Sequence, residues 1–386
     1  MYTARHICFI SSGYPYKENN DFVFVKKLVD AIADQGVHCS VISPKSISNG
    51  FIRKTPISPR YSAYNTKGGK QVEVYRPRTI SFSNLKIGKI KLSSWISSRV
   101  VRHTARKLKQ APDVFYGHFW GSGLSIYPVA LEKQIPLFVA TGESSIPSLD
   151  GCKQDYLEKF SEYVSGVICV STKNKLESIE RKLTVPEKTM VFPNGVDSSI
   201  FFKKEKDACR RKLGLPLDAF VICFVGFFIE RKGPLRVAEA IRKLQNNSIK
   251  SLFIGKGEQQ PECPGILYKG TVLHENLADY LNAADVFVLP TLHEGCCNAI
   301  IEAMACGLPI ISSNLSFNND ILSDKNSIRI NPSSVSEVAE AINKLYLDTA
   351  LREKMGAESL RIAENLKIVN RAKKILDFIS SRIPQK

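Results

Sequence analysis

Two acidic residues eight positions apart, Glu294 and Glu302, are the side chains of this sequence best suited to chemistry. Glu302 lies in the run 299–305, in which every other residue is apolar or small. A lone acid among packed apolar side chains is costly unless a polar group meets it. Gly307 and Pro309 follow the run, which predicts a buried helix that ends at a left-handed glycine. Glu302 is therefore either a helix acid that faces water or a carboxylate that binds a ligand.

The residues before these acids favour the ligand. Residues 284–292 read ADVFVLPTL and predict a buried strand, so the two acids flank a strand–loop–helix turn. In open α/β sheets, ligands bind at the carboxyl ends of the strands. The turn 295–298 would open the helix, and helix N-termini present backbone N–H groups to phosphate. The sequence thus predicts a phosphate-bearing ligand at this turn.

Motifs in a fixed order resemble those of the family 4 retaining glycosyltransferases. The acids Glu294 and Glu302 form an EX7E pair within D-V-F-V-L-P and E-A-M-A-C-G-L-P, which resembles the donor-site signature of that family. The weaker resemblances are N-G-V-D at 194–197, VGFFIERKG at 225–233 and FIGKGE at 253–258. The EX7E block is specific, and the other motifs gain weight from their order along most of the chain.

The resemblance implies an α/β protein of the GT-B fold, with two Rossmann-like domains that face each other across a deep cleft. The alternation of short apolar β-runs with helical stretches independently predicts two series of βαβ units. We expect an acceptor-binding domain at 1–197 and a nucleotide-sugar domain at 198–365. By resemblance, the C-terminal helix, about 366–386, returns to the first domain. Neither half contains GxGxxG, so a nicotinamide or flavin site is not expected.

Roles in the donor site also follow from the resemblance. Glu302 is expected to bind the ribose hydroxyls, Glu294 the donor sugar and Lys232 the diphosphate. The family usually has arginine where this chain has Phe227, so Arg231 is the candidate that replaces it. The other donor-site candidates are glycines and loop residues: Gly13, Gly226, Gly295, Cys296, Cys297 and Asn298.

Two residues of the first half are candidates for the acceptor side. His118 ends a predicted strand and resembles the family's histidine near the sugar, although a lone histidine can also be a satisfied core residue. Glu143 could assist acceptor binding or simply cap the next helix. The ten cysteines show no metal-binding spacing. We expect no metal and no cofactor, since the nucleotide sugar is a substrate.

The net charge of +17 is concentrated at the start of the chain. Residues 1–110 carry 20 Lys and Arg against 5 Asp and Glu, whereas residues 111–386 carry 34 against 32. Without a nucleic-acid-binding motif, this excess favours an anionic membrane surface or an anionic lipid-linked acceptor over nucleic acid. Solubility alone is the alternative. The basic stretch 91–110, with Trp95, predicts an amphipathic helix that lies either at a membrane interface or with its apolar stripe on the core.

The expected activity is transfer of a sugar from a UDP- or GDP-sugar to a glycan or lipid-linked acceptor, in cell-surface polysaccharide or glycolipid synthesis. Scattered cysteines and an N-terminus without a secretory leader predict a cytoplasmic enzyme, peripheral on the cytoplasmic membrane face. Two alternatives remain. One is a degenerate GT-B subunit without catalysis, suggested by Phe227. The other is a GT-B sugar-nucleotide epimerase, against which the EX7E block argues.

Overall fold

The chain forms two compact units. The structure, a computed structural model, describes residues 4–17, 22–48, 58–82, 85–87, 90–143, 146, 149 and 152–383. The first unit comprises Met1–Phe192 with Arg371–Lys386, and the second comprises Pro193–Asn370. Among the described residues, none of the helices combines the length and apolarity that a bilayer-spanning segment needs.

An eight-stranded sheet forms the centre of the first unit. Its strands are β1 (His6–Ser11), β2 (His38–Ile42), β4 (Tyr61–Asn65), β5 (Gln71–Tyr75), β9 (Val114–His118), β10 (Leu137–Thr141), β11 (Gly166–Cys169) and β12 (Thr189–Val191). Short strand pairs are formed by β3 (Lys45–Ser46) with β6 (Arg78–Thr79) and by β7 (Lys86–Ile87) with β8 (Ile90–Lys91). The order in the large sheet is β12-β11-β10-β9-β1-β2-β5-β4. Only its edge pair, β4 with β5, is antiparallel.

The helices of the first unit cover this sheet, as the buried central strands require. They are α1 (Val23–Ala33), α2 (Leu92–Arg106), α3 (Trp120–Lys133), α4 (Gln154–Tyr163) and α5 (Thr172–Glu180). A short 3₁₀ turn, Pro186–Lys188, precedes β12. The antiparallel β4–β5 pair lies within the stretch 46–92, which is rich in Ser, Lys, Arg and Gly. Of that stretch, residues 49–57, 83–84 and 88–89 lie outside the described residues.

The strand order of the first sheet reverses direction between β1 and β9. Ser11, the last residue of β1, pairs in register with His118, the last residue of β9. Gly13 follows two residues after Ser11. Such a reversal is where open α/β sheets bind ligands, because the connections leave the strand ends in opposite directions. The fold therefore positions His118 and Gly13 at the switch point of the first sheet.

The second unit is built on a six-stranded parallel sheet in the order β15-β14-β13-β16-β17-β18. Its strands are β13 (Phe220–Val225), β14 (Ile249–Ile254), β15 (Ile266–Gly270), β16 (Val286–Leu289), β17 (Ile310–Ser313) and β18 (Ser327–Ile330). Its helices are α6 (Lys206–Leu213), α7 (Pro234–Leu244), α8 (Leu277–Ala283), α9 (Asn298–Ala305), α10 (Val335–Leu347) and α11 (Thr349–Asn365), with a 3₁₀ turn at Ser316–Asn318.

The switch point of the second sheet lies between β13 and β16. Gly226 follows β13, and the loop that carries Glu294 follows β16. The predicted helix after this loop is confirmed as α9, which contains Glu302 and is followed by Gly307 at φ +80°. That backbone conformation is one that glycine adopts at little cost. The two predicted donor-site loops thus leave adjacent strands at the same edge of the sheet.

The observed division of the chain differs slightly from the expected one. We expected the first domain to extend through Asp197, but the second unit begins at Pro193. The reason is a pair of backbone hydrogen bonds: the N–H of Val196 donates to Leu366, and that of Ile368 donates to Val196. The last helix, α12 (Ile368–Ser380), belongs to the first unit from Arg371 onward. There the ring of Phe378 packs edge-on against Phe138, with 6.0 Å between centroids.

Candidate functional site

The loops after β13 and β16 meet through one carboxylate. Oε1 of Glu294 lies 2.5 Å from Nζ of Lys232 and 2.7 Å from Nη1 of Arg231. The hydroxyl of Thr291 donates to the same oxygen at 2.9 Å. The backbone reinforces the contact, because the N–H of Leu292 donates to the carbonyl of Arg231 at 2.8 Å. The predicted residues Arg231, Lys232 and Glu294 therefore form one cluster at the switch point.

The cluster contains two cations and one carboxylate, and two of the three side chains are largely buried. The side chains of Lys232 and Glu294 are 11% and 12% exposed, whereas that of Arg231 is 35% exposed. Burial acts to lower the pKa of Lys232, but the carboxylate of Glu294 opposes it, and this pKa lies above its usual value. Lys232 is therefore a fixed positive charge throughout the physiological range. One carboxylate faces two cations, which leaves positive charge at the surface of the cluster.

Gly233 and Pro234 orient the two cations at the start of α7. Gly233 has φ +77° and stands at the N-cap position, and Pro234 is the first helical residue. A left-handed glycine turns the loop sharply, and proline at the first helical position loses no hydrogen bond. The R-K-G sequence thus turns the loop so that Arg231 and Lys232 both reach Glu294.

The N-terminus of α9 lies beside this cluster. Cys297 is buried, with its sulfur near the amides of Ala299 and Ile300 and 3.9 Å from Nζ of Lys232. Burial raises the pKa of the Cys297 thiol despite these positive neighbours, so the thiol is neutral and fills space. The side-chain amide of Asn194 donates to the carbonyl of Cys296 at 3.1 Å. Of the other predicted donor-site residues in this turn, Gly295 is buried and Asn298 is half-buried.

Gly226 begins a loop that packs closely against the loop after β14. Its N–H donates to the carbonyl of Ile254 at 3.0 Å. A Cβ at Gly255 would lie 1.8 Å from the carbonyl oxygen of Gly226, and one at Gly257 would lie 2.3 Å from that of Phe228. The FIGKGE motif is therefore explained by close backbone approach. The ring of Phe228 is buried, whereas that of Phe227 is 57% exposed.

Glu302 is partnered outside this cluster. Its Oε1 lies 2.9 Å from Nε2 of His274, which belongs to the connection between β15 and α8. The side chain of Glu302 is 12% exposed and that of His274 is 40% exposed. The EX7E acids therefore have different partners: Glu294 contacts Arg231 and Lys232, and Glu302 contacts His274.

In the first unit, His118 is enclosed by aromatic rings. It is 4% exposed, and the rings of Phe24 and Phe119 lie 5.5 and 4.6 Å from it between centroids. Neither ring nitrogen has a hydrogen-bond partner in the part of the chain that the structure describes. Burial, reinforced by the charge of Arg371, lowers the pKa of His118 to about 3. His118 is thus a neutral imidazole with two unused polar atoms at the end of β9, rather than a satisfied core residue.

Gly13 makes room for a side chain of the same unit. A Cβ at Gly13 would lie 2.4 Å from Cδ2 of Phe22. The Phe22 ring in turn lies 6.2 Å from that of Phe119, which has φ +92°. Such a φ is uncommon for residues other than glycine and is often found at functional sites. The space that glycine leaves here is filled by Phe22, and the same aromatic group borders His118.

Glu143 caps a helix that precedes it in the chain. Its carboxylate accepts the N–H of Trp120, the first residue of α3, at 3.0 Å. It also accepts the hydroxyl of Thr141 and the N–H of Gly142. Burial raises the pKa of Glu143, although these hydrogen bonds oppose the rise. The contacts are those of a helix cap, but the capped helix is the preceding one, α3, and not the next one as expected.

Sequence reasoning missed two contacts of the site. Asn194 and Cys296 are 102 positions apart, and His274 and Glu302 are 28 apart, so no local spacing connects them. The N-G-V-D motif contains Asn194, but it did not predict that this side chain contacts the loop after β16. For His274 no signal was present. Among the described residues, no group of three His, Cys, Asp or Glu side chains is arranged to hold a metal ion.

Two glycosyltransferase families match this chain, each over a different part of it. The description "Glycosyltransferase Family 4" matches residues 23–200, and "Glycosyl transferases group 1" matches residues 219–348. The first match covers most of the first unit, and the second covers the sheet and the EX7E pair of the second unit. Together they span the two series of βαβ units.

This chain is also similar to individual glycosyltransferases and to solved structures. The putative teichuronic acid biosynthesis glycosyltransferase TuaC of Bacillus subtilis is 29% identical over 88% of this chain and 88% of its own length. The UDP-Gal:alpha-D-GlcNAc-diphosphoundecaprenol alpha-1,3-galactosyltransferase of Escherichia coli is 30% identical over 60% and 64%. The structure of Anabaena Alr3699/HepE in complex with UDP superposes with a TM-score of 0.72 at 16% identity, covering 98% of this chain and all of that one.

Proposed function

Because the chain belongs to the family 4 glycosyltransferases, which have the GT-B fold, we propose that it transfers a sugar from a nucleotide-sugar donor with retention of anomeric configuration. The acceptor is a glycan or a lipid-linked sugar, in the synthesis of cell-surface polysaccharide or glycolipid. The observation that carries the proposal is the cluster of Arg231, Lys232 and Glu294 at the switch point of the second sheet.

The leaving group of this reaction is a nucleoside diphosphate. Negative charge builds on its oxygens as the glycosidic bond breaks, and fixed cations stabilise charge where it develops. Lys232 keeps its proton and is largely buried, so its charge is little screened. Arg231 adds a second cation with several N–H donors. We therefore assign the diphosphate to these two side chains, without a metal ion.

The two acids take different parts of the donor. Glu294 already binds both cations, so a donor diphosphate that approaches them would bring its sugar close to this carboxylate. Glu302 lies on α9 with only one of its oxygens in a described contact. A carboxylate can accept two vicinal hydroxyls, as a ribose presents them. The amides at the start of α9 add donors that suit phosphate or sugar oxygens.

A uridine nucleotide is the first donor to test. The Escherichia coli relative is named for UDP-Gal, and the similar Anabaena structure contains UDP. GDP-sugars are the second group of donors to test. On the acceptor side, His118 lies at the switch point of the first sheet, and neither of its buried ring nitrogens has a partner among the described residues. Its neutral ring can donate one hydrogen bond to a sugar hydroxyl and accept another.

We further propose that the first unit docks on an anionic membrane surface through α2. This helix packs on the core through Val101 and Ala105, which are buried. Its opposite face exposes Trp95, and the guanidinium of Arg99 lies 4.8 Å from the Trp95 ring centre. The apolar stripe of α2 is therefore on the core, and the exposed aromatic residue and its arginine support the proposed membrane contact.

The exposed face of α2 has the composition of a membrane interface. A shallow groove of about 540 Å³ is lined by Trp95, Ile96, Arg99, Val100, Arg102, His103 and Arg106. One acid, Glu132 on α3, pairs with Arg106 at 2.7 Å. The neighbouring segment adds the exposed side chains of Ile80, Phe82 and Leu85. Basic residues attract anionic headgroups, and aromatic and apolar side chains insert at the boundary. This location suits a peripheral enzyme of the cytoplasmic face whose acceptor is lipid-linked.

A transfer assay with the purified chain tests the proposed activity. UDP- and GDP-sugars are each offered with a polyprenyl-diphosphate-linked GlcNAc acceptor in vesicles, and nucleotide release and sugar transfer are both measured. We expect one nucleotide to be strongly preferred and the product to keep the anomeric configuration of the donor. Transfer with inversion would contradict the retaining assignment. Release from none of the donors, with several lipid-linked sugars supplied, would contradict the function itself.

A degenerate subunit is the second candidate, and one observation favours it. Phe227 stands where the family usually has a cationic residue, and its ring is exposed rather than packed. A chain that binds a nucleotide tightly but neither releases nor transfers sugar would support this alternative. The presence of Lys232 and Arg231 in one cluster argues for catalysis, because both cations remain available for the diphosphate.

A further inference from the structure

The contact between His274 and Glu302 links two elements of the second unit. Nε2 of His274 lies 2.9 Å from Oε1 of Glu302, a hydrogen-bond distance. His274 lies in a turn before α8, where its carbonyl accepts the N–H of Leu277. Glu302 lies on α9, after the loop of the cation cluster. A residue outside the sequence motifs therefore contacts one of the two acids of the EX7E pair.

The imidazole is held in a defined orientation. Its ring meets that of Phe201 edge to face, with 5.0 Å between centroids and an interplanar angle of 78°. Phe201 is 1% exposed and belongs to the core of this unit. Edge-to-face aromatic contacts fix ring orientation more strongly than apolar burial alone. His274 is thus anchored on one side by the core and directs Nε2 at the carboxylate.

We infer that His274 is a positioning residue for nucleotide recognition. It holds Oε1 of Glu302, so that the second oxygen is directed at the ribose hydroxyls before the donor arrives. The inference rests on the proposed function, because it assigns the ribose to Glu302. Ionised carboxylates accept about four hydrogen bonds, so one bond from His274 leaves capacity for two hydroxyls. Fixing the rotamer in advance removes part of the entropy that binding would otherwise cost.

If His274 blocked the ribose position instead of preparing it, its removal would change nucleotide affinity in the opposite direction. If His274 instead occupied the position of the ribose hydroxyls, it would have to leave before the donor could bind. Removing the imidazole would then tighten nucleotide binding. A positioning residue has the reverse effect, since its loss frees the carboxylate to rotate. The direction of the change in affinity therefore separates the two roles.

The test compares ribonucleotides with deoxynucleotides in three proteins. Calorimetry first identifies whether UDP or GDP binds the wild type, and the 2′-deoxy and 3′-deoxy forms of that nucleotide are then titrated. The proteins are wild type, His274→Phe, which keeps a ring against Phe201 without a donor, and His274→Gln, which restores an N–H donor. For His274→Phe we expect about a tenfold loss of affinity for the ribonucleotide, because the freed carboxylate must then be ordered when the nucleotide binds.

The ratio of ribonucleotide to deoxynucleotide affinity is the readout that a merely structural role would not change. It should fall in His274→Phe and return in His274→Gln, with kcat at saturating donor close to that of wild type. An unchanged ratio in His274→Phe, or tighter binding, would overturn the inference while leaving the proposed function intact. A wild type that binds neither nucleotide would instead remove the proposed function and this inference with it.

Discussion

The ammonium of Lys232 lies 2.5 Å from the carboxylate of Glu294, although the two residues are on different loops. Arg231 contacts the same oxygen. Breaking a buried ion pair on one side leaves the other charge uncompensated, which destabilises a protein more than the pair stabilises it. In this site the two cations outnumber the one carboxylate, and the proposed function explains the excess positive charge. One carboxylate holds two cations in place and does not neutralise both, so a diphosphate completes the balance of charge.

Glu302→Gln should weaken nucleotide binding while the protein stays folded. A hydrogen bond to a charged group contributes about 1.5–3 kcal/mol, and the amide keeps the shape but not the charge. Calorimetry with UDP or GDP measures the loss. Glu358→Gln is a matched control, because Glu358 pairs with Arg361 on the surface of the same unit. Unchanged nucleotide affinity in folded Glu302→Gln would reject the ribose assignment.

Glu294→Ala should reduce turnover more than nucleotide affinity. The carboxylate is assigned to the donor sugar, so its loss acts mainly in the transition state, and such changes lower kcat. Loss of the partner of Arg231 and Lys232 also lets the cations move. Steady-state kinetics with saturating donor checks the prediction. Glu230→Ala is the control, since Glu230 is an exposed acid on the loop after β13 and pairs with Arg236 of α7 rather than with the cluster. A large rise in KM with unchanged kcat would assign Glu294 to binding alone.

His118→Phe should reduce the pH dependence of stability. The pKa of His118 is about 3 in the folded protein and about 6.5 in an unfolded chain. The unfolded chain therefore binds the proton first, and stability falls as pH drops from about 6.5 towards 3, by up to 1.36 kcal/mol per pH unit. Phenylalanine cannot bind this proton and fits the aromatic surroundings, so the variant should lose less stability between pH 7 and pH 5.

Urea unfolding followed by tryptophan fluorescence measures the pH dependence of stability in the first structural unit, which contains His118. The chain has two tryptophans, Trp95 and Trp120, and both belong to the first unit. His6, whose pKa burial lowers to about 4, adds a similar slope in both proteins. His103→Gln is the control, because His103 lies on the exposed face of α2. Identical pH slopes for wild type and His118→Phe would mean that the imidazole is solvated or protonated in the folded state.

Vesicle binding should depend on the arginines of α2. If this face docks on anionic lipid, binding should rise with the anionic fraction and fall with salt, each nearby Lys or Arg contributing about 1 kcal/mol at low screening. Replacing Arg99, Arg102 and Arg106 with Glu should release the protein. Trp95 fluorescence should shift to the blue on binding, since its side chain is exposed in the free protein whereas Trp120 is buried.

A charge-matched variant provides the control for vesicle binding. Arg211, Lys243 and Lys354 are exposed residues of the second unit, and changing them to Glu alters the net charge equally. We expect this variant to bind as wild type does. If the two triple variants bind equally, net charge alone explains the attraction. If neutral and anionic vesicles bind wild type equally, the proposed surface has no electrostatic role.

The sequence was sufficient for features that depend on local spacing. The strand before Glu294, the helix that carries Glu302 and the glycine that ends it follow from periodicity and from the conformations that glycine allows. The contacts between loops were not predictable in the same way. Which loops meet depends on the order of β13 and β16 in the sheet, and that order is set by packing over the whole unit.

Three residues make contacts that the local sequence pattern does not predict. Gly13 is a donor-site candidate, and the space beside it is occupied by Phe22, a contact that no motif encodes. Glu143 caps a helix that lies before it in the chain, because β9 and β10 are neighbours in the sheet. His274 reaches Glu302 from a separate connection. The contacts of Glu143 and His274 join segments that follow different strands, whereas Gly13 and Phe22 lie in the same connection, between β1 and α1.

The most direct test of the account is the rate of sugar transfer in Arg231→Ala, Lys232→Ala and the double variant. Each cation that stabilises the leaving diphosphate should contribute about 2.7–4 kcal/mol to the barrier, as single preorganised donors do. Because both act on one group, the double variant should lose less than the sum of the single losses. We predict that Arg231→Ala lowers kcat nearly as much as Lys232→Ala. Full transfer activity in both single variants would contradict the assignment of this cluster to the donor diphosphate.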